Sequence, residues 1–479
     1  DLIKFLRGGR HLLFAGSRRN VEVYASALSE KCEDDNVPNE FFAHHGNLSK
    51  AQREDVELRL REDPRPTTAV ATTTLELGID IGDVESVAQI GPGPSVASLR
   101  QRLGRSGRRA GKPATVRIFA IEEEAGKGHH PVDQLHLDLV QSVAVVECLI
   151  ENWCEPPARA GLHLSTLLHQ ILAVILQYGG IKPAAAYKLL CERGPFRNVG
   201  KGLFADLLRQ MADAEIKLIE QSPDGILMLG EVGERIAESH EFYAVFVTPE
   251  EYRIITHTAT LGTYPLDTTI APGQTIIFSG RRWKILEIDD RARTILVQPS
   301  KAAMPPKFSG GFGGVHDRIV AKMRSVLESA DYPQYMNTTA KDLLAKAREA
   351  FEGFGLRERT MIEIGKGVVV FPWVGTKKLE TLNLALTARD FEPRAANHVI
   401  EVPETSVAAI TEILHEIADE GIPDGEALAD KVAMPFKEKY DQYLWPDLLK
   451  KVVIEERLDL SSVPEVARDL IKLERPQEY

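Results

Sequence analysis

The run Arg100-Gln101-Arg102-Leu103-Gly104-Arg105-Ser106-Gly107-Arg108-Arg109 holds five arginines and two glycines in ten residues. A guanidinium stays charged at physiological pH and forks two N–H donors onto phosphate oxygens. Glycine, without a Cβ, lets the backbone come close to a ligand. The run reads as an element facing phosphate. Its other reading is a solvated basic helix face.

Three stretches upstream bear on that choice. Thr72-Thr73-Thr74-Leu75-Glu76-Leu77-Gly78-Ile79-Asp80-Ile81-Gly82-Asp83-Val84 precedes the arginine run by about twenty residues. Before it come Leu12-Leu13-Phe14-Ala15-Gly16-Ser17-Arg18-Arg19 and His44-His45-Gly46-Asn47-Leu48-Ser49, the latter followed by Arg53. Apolar strand-like runs at His11–Ala15, Glu40–Ala43, Thr68–Ala71, Ser86–Ile90 and Thr115–Ala120 alternate with helical stretches such as Val21–Ser29 and Lys50–Arg61. That rhythm predicts a parallel sheet covered on both faces over residues 1–125. The quoted stretches follow strands, at the carboxyl edge where such sheets bind ligands. Ser49 is a candidate N-cap, with Gln52 completing a capping box.

In this order the stretches resemble motifs IV, V and VI of superfamily 2 helicases. Together with His240-Glu241-Phe242-Tyr243-Ala244-Val245-Phe246, and with Met304-Pro305-Pro306-Lys307-Phe308 after a strand bearing Trp283, they resemble the Lhr-type (large helicase-related) DNA helicases. The resemblance is specific over the first 110 residues, good to about 315 and weak beyond.

Composition sets outer bounds. The 479 residues are 43% hydrophobic and 27% charged, with a formal charge of −12. That is ordinary soluble protein, long enough for two to four domains. The net charge gives no global attraction to nucleic acid, so local patches must decide. Cys32, Cys148, Cys154 and Cys191 lack C-x-x-C spacing, which suggests reduced thiols of a cytoplasmic protein, with Cys148 and Cys154 buried. No apolar run approaches the roughly 20 residues a membrane span needs. The chain begins at Asp1 and not at Met, which reads as a portion of something longer.

The expected fold is multidomain α/β. A RecA-like parallel-sheet lobe (1–125) leads through a less regular connecting segment (126–160) to a winged helix (161–240). A β-rich, barrel-like α+β domain with helical additions (241–479) completes it. The winged-helix expectation rests on the helical stretches Leu164–Leu176, Ala184–Cys191 and Leu203–Ala214, followed by strands flanking the turn Ser222-Pro223-Asp224-Gly225. Base contact and scaffolding remain equal readings for it. Gln274–Ser279, Arg282–Asp289 and Arg293–Gln298 predict a meander, and Val407–Ala418 a helix.

The family resemblance implies 3′-to-5′ translocation on single-stranded DNA driven by ATP and Mg²⁺. It implies that Arg105 and Arg108 stabilise the transferring phosphoryl group. Gly78, Asp80 and Gln101 would line the nucleotide cleft, and Ser17, Arg18 and Thr72 would hold strand phosphates. Phe308, Trp283 and Trp373 are candidates for stacking unpaired bases, with core packing the competing reading for each. Asp80 also reads as a turn aspartate, and Thr72 as a β-branched strand end. The chain has no G-x-x-x-x-G-K loop followed by Ser or Thr, and no acidic pair after a buried strand. ATP and Mg²⁺ would then be held mainly by a first lobe, in cis or on a partner chain, and this chain alone would be inactive. The alternatives are a non-catalytic nucleic-acid-binding subunit and an RNA track.

Overall fold

The computed structural model describes residues 1–479 apart from 77–78, 94, 108–110, 124, 126–127, 158–160, 247–250, 266–269, 301–313, 422–424, 432–437 and 475–479. The chain divides into two packed units, residues 1–155 with 249–354 and residues 156–248 with 355–479. The stretch 241–479, expected as one domain, is therefore shared between them.

In the first unit, β1 (Arg10–Phe14), β2 (Phe41–His44), β3 (Thr67–Ala71), β4 (Ser86–Ile90) and β5 (Val116–Phe119) form a parallel sheet in the order β2-β3-β1-β4-β5. β3 and β4 are buried at every position, as a sheet covered on both faces requires. Between the strands run α1 (Arg18–Asp34), α2 (Lys50–Arg61) and α3 (Val96–Leu103). Ser49 caps α2 by accepting from the Gln52 N–H. The capping box does not close, because the Gln52 amide donates to Ser279 Oγ at 3.0 Å while the Ser49 N–H goes to the Leu261 carbonyl. A tertiary partner has taken the side chain that a local cap would have used.

Residues 126–160 are not merely a connector. They contain a fourteen-residue helix, Leu137–Ile150, buried along most of its length and packed on the helix Asp317–Glu328. Its Leu, Val and Ala residues spread over most of its circumference, which marks a helix largely enclosed by neighbours.

The meander forms as expected within a five-stranded sheet. Its order is Thr275–Phe278, Arg281–Asp289, Thr294–Pro299, Glu251–Ile255, Thr260–Pro265, with Glu251–Ile255 parallel to Thr294–Pro299. Among the described residues no pairing joins the two edge strands. Ser279 and Gly280, at φ +56° and +67°, make the two-residue turn between the first two strands. Both central residues at positive φ match the right-handed twist of a hairpin. The inner face of this sheet (Ile276, Phe278, Trp283, Ile285, Ile295, Val297) shares one apolar core with Leu13, Val21, Ala25 and Phe41 of the lobe.

The second unit opens with helices Leu164–Tyr178, Pro183–Tyr187 (continued by a wide turn, Lys188–Glu192) and Lys201–Met211. The hairpin Ile219–Gln221 with Leu227–Leu229 follows, and Ile181 adds a bridge to Leu227. Gly179, at φ +68°, ends the first helix, a geometry that costs other residues a Cβ clash. Farther on, an antiparallel sheet ordered Met361–Ile364, Gly367–Val370, Val399–Val402, Arg394–Ala396 shares a core with the helices Thr376–Thr387, Val407–Glu420 and Val463–Glu474. Among the described residues, no helix is long and apolar enough to cross a membrane.

Candidate functional site

The carboxyl edge of the lobe gathers the loops after β1, β3 and β4. After β1 the chain turns at Gly16 into α1, where Ser17 is the N-cap and its hydroxyl accepts from the Asn20 N–H at 3.1 Å. Arg18, the first residue of α1, is exposed. The Ser17 hydroxyl thus already holds a structural bond, while Arg18 projects from a helix start whose dipole favours anions.

After β3, Thr72 is half-buried and its N–H reaches the His44 carbonyl at 3.4 Å. Behind it stands His44, which sequence reasoning left without a role. Its Nε2 lies 2.9 Å from Glu57 Oε1 and its Nδ1 3.0 Å from Thr74 Oγ1. A carboxylate can only accept, so Nε2 carries the proton. Burial favours the neutral ring and holds the imidazole below its ordinary pKa, against the opposing pull of Glu57 toward the protonated form. The Thr74 hydroxyl then donates to Nδ1, and its orientation is set from behind the loop.

α3 carries the arginine run. Gln101 is exposed on it. Arg102 is buried: its Nε donates to Glu76 Oε2 at 3.1 Å, its Nη1 to Gln89 Oε1 at 2.7 Å, and its guanidinium lies 4.6 Å from the Phe14 ring centre. Arg105, 8% exposed, donates from Nε and Nη2 to the Glu76 carbonyl and from Nη1 to the Ile79 carbonyl. These two arginines fasten the loop after β3 to the end of α3. Asp80 is exposed and accepts from the Gly82 N–H at 3.1 Å, a local turn bond. Gly107 serves packing rather than ligand approach, since a Cβ there would stand 2.4 Å from the Ala114 nitrogen.

The start of α3 is held from afar. The Glu155 carboxylate accepts from the Val96 N–H at 2.8 Å and the Ala97 N–H at 3.0 Å, beside the Ser95 cap. Nothing in the sequence marks a cap drawn from 59 residues downstream.

Gly78, Arg108 and Phe308 lie outside the described residues. Trp283, a candidate for base stacking, sits where the competing reading of core packing would place it. It is 7% exposed in the shared core, and its Nε1 donates to the Phe278 carbonyl at 2.8 Å. The alternation Arg282-Trp283-Lys284-Ile285 places Trp283 on the inward face with Ile285, a signal the sequence already held. Trp373 is likewise buried, stacked on Phe371. Of the two cysteines expected to be buried, Cys148 is and Cys154 is exposed; all four are free thiols.

The helicase conserved C-terminal domain family matches residues 1–110. A curated relative, the ATP-dependent helicase Lhr-Core protein 2 of Thermococcus barophilus, is 26% identical over 306 residues, 61% of this chain and 33% of its own length. The Lhr helicase/uracil glycosylase of Escherichia coli is 32% identical over 184 residues, 36% of this chain and 11% of its own. The solved structure of Mycobacterium smegmatis helicase Lhr, bound to ssDNA and AMP-PNP, covers 98% of this chain with a TM-score of 0.63 at 18% identity. These matches support a likeness to the C-terminal portion of the Lhr-type superfamily 2 helicases. It spans about a third of the length of the Thermococcus Lhr relative and 65% of the solved mycobacterial Lhr chain. The matched domain, residues 1–110, contains the parallel-sheet lobe as far as α3 and the arginine run.

Proposed function

We propose that this chain supplies the second ATPase lobe, a winged helix and the strand-guiding domains of an ATP-dependent 3′-to-5′ translocase on single-stranded DNA. The observation that carries this reading is the bonding of Arg105 to the carbonyls of Glu76 and Ile79. It joins the two stretches that resemble motifs V and VI at one edge of the sheet, so that whatever moves the strand-facing loop moves the phosphate-facing arginines. Arg105 and Arg108 are the arginine fingers. Arg105 exchanges its carbonyl partners for a γ-phosphate when the nucleotide arrives, and Arg108 meets it from the same run. Ser17, Arg18 and Thr72 contact strand phosphates, and Phe308 stacks a base. The guanidinium donors suit the charge of a triphosphate. ATP and Mg²⁺ rest mainly on a first lobe, because this sequence contains neither a phosphate-cradling loop nor a DExH pair.

In the enzyme completed with a first lobe, Arg108→Ala should lower single-strand-stimulated ATP turnover by roughly 10³–10⁵ while single-strand affinity stays near wild type. Near-normal turnover would remove the finger assignment. The chain by itself should hydrolyse no ATP, and strand-stimulated turnover in a preparation cleared of other ATPases would refute that.

A further inference from the structure

The chain carries a formal charge of −12, yet residues 182–201 hold five cations, Lys182, Lys188, Arg193, Arg197 and Lys201, against one acid, Glu192. All five are exposed. Among the described residues none of them is in an ion pair. The segment is firmly built. Phe196 and Val199 are buried anchors, the Arg193 N–H bonds the Lys188 carbonyl at 3.0 Å, and the Tyr187 hydroxyl donates to the Val199 carbonyl at 3.3 Å. Lys201 comes back within 5.9 Å of the Tyr187 ring, so the end of the segment lies beside its start. Unpaired cations held on one folded segment of an acidic protein are kept apart from the abundant carboxylates, and self-repulsion opposes that arrangement unless an anion is met there.

The chemistry of the segment selects among anions. Single-strand binders interleave cations with aromatic faces on which bases stack. Here both aromatics are spent on packing: Phe196 is buried, and Tyr187 lies edge-on to Phe204 at 5.3 Å. Such a surface reads phosphates and not bases. A duplex offers phosphate charge at about twice the axial density of one of its strands, with its bases already stacked.

We infer that the surface formed by Lys182, Lys188, Arg193, Arg197 and Lys201 grips the backbone of a nucleic-acid duplex without sequence preference. This grip is separate from the single-strand contacts at the lobe edge. It rests on the nucleic-acid reading above only for the kind of anion, and it requires no ATP.

The test uses this chain and a short blunt labelled duplex, titrated by anisotropy at several salt concentrations. Joint replacement of Lys188→Glu, Arg193→Glu, Arg197→Glu and Lys201→Glu should weaken duplex binding by more than about tenfold. It should also flatten the dependence of log affinity on log salt by roughly 0.9 for each phosphate no longer neutralised. The corresponding glutamine replacements, which keep size and solubility, should shift both quantities in the same direction by less. Thermal unfolding checks that each variant is folded. Unchanged duplex affinity overturns the inference, and so does an equal loss of single-strand and duplex binding. A wild-type chain that ignores duplex at low salt but retains an acidic protein also overturns it. A chain that binds duplex through these residues while Arg18→Ala leaves single-strand binding untouched would count against the lobe-edge assignment alone.

Discussion

Glu155 and Val96 are joined by a 2.8 Å hydrogen bond from the Val96 N–H to the Glu155 carboxylate, and the Ala97 N–H takes the other oxygen. A helix leaves its first amides without partners, and an anion there meets the positive end of the dipole. The helix so held is the one that leads into Arg102 and Arg105. Glu155 is also the last residue of its stretch of the first unit. The helix that carries the arginines is therefore anchored where the chain leaves that unit.

Glu155→Ala should lower stability by about 1 kcal/mol, the usual size of a lost cap. Hydrogen exchange would show it locally, as faster exchange at Val96 and Ala97 with little change on β3. Unaltered exchange at both amides would mean that Ser95 alone suffices. In the completed enzyme the same substitution should reduce turnover more than strand affinity.

Trp283→Ala should cost about 3–5 kcal/mol in urea unfolding, because it empties a site in the shared core and leaves the Phe278 carbonyl without its donor. The folded fraction should bind single strands as wild type does. A selective loss of single-strand affinity at full stability would return Trp283 to the strand interface.

The parallel-sheet lobe was legible because inner strands such as β3 and β4 are buried on both faces, so that apolar runs such as Ser86–Ile90 stand out from the helices between them. Lys50–Arg61 was legible for a different reason, a capping serine just before a helical pattern. What stayed hidden depends on partners distant in sequence. Gln52 gave up its local cap for Ser279, and Glu155 reached back to α3. Within 126–160 a helical stretch was legible among the Gly and Pro breakers, but the limits of Leu137–Ile150 were not, because a largely apolar helix has little periodicity to read. At the candidate site the sequence pointed to Ser17, Thr72 and Arg105 by type and order. It could not show that Arg105 is bonded to backbone, or that His44 stands behind Thr74.

His398 gives a pH dependence with a definite sign. Burial pushes its imidazole below the ordinary value, so the folded chain favours the neutral ring. The unfolded chain takes up the proton near the ordinary value of about 6.5. The stabilising contribution is complete above that pH and is lost as pH falls through the lower, folded value. Buried His11 and His44 shift the same way, each chiefly from desolvation. The chain should therefore lose stability as pH falls below about 6.5. His398→Asn should lessen that loss, since asparagine tolerates the φ of +67° and does not titrate. Identical pH profiles for the two proteins would show that His398 is not a source of the acid sensitivity.

Glu22 joins the lobe to the β-sheet that follows it. Its carboxylate accepts from the N–H groups of Ser279 and Gly280 at 2.7 and 2.6 Å and lies 2.8 Å from His45 Nε2. Three donors converge on one carboxylate that is 5% exposed, so removing it strands all of them away from water. Glu22→Ala should cost roughly 3 kcal/mol, the scale set by breaking a buried charged pair from one side. Glu22→Gln retains one acceptor oxygen and should cost less. The loss should appear first as faster hydrogen exchange at Ser279 and Gly280, at the turn that seats on α1, before global unfolding. If exchange there matches wild type while stability falls, Glu22 acts through α1 alone and the turn is held by its apolar flanks.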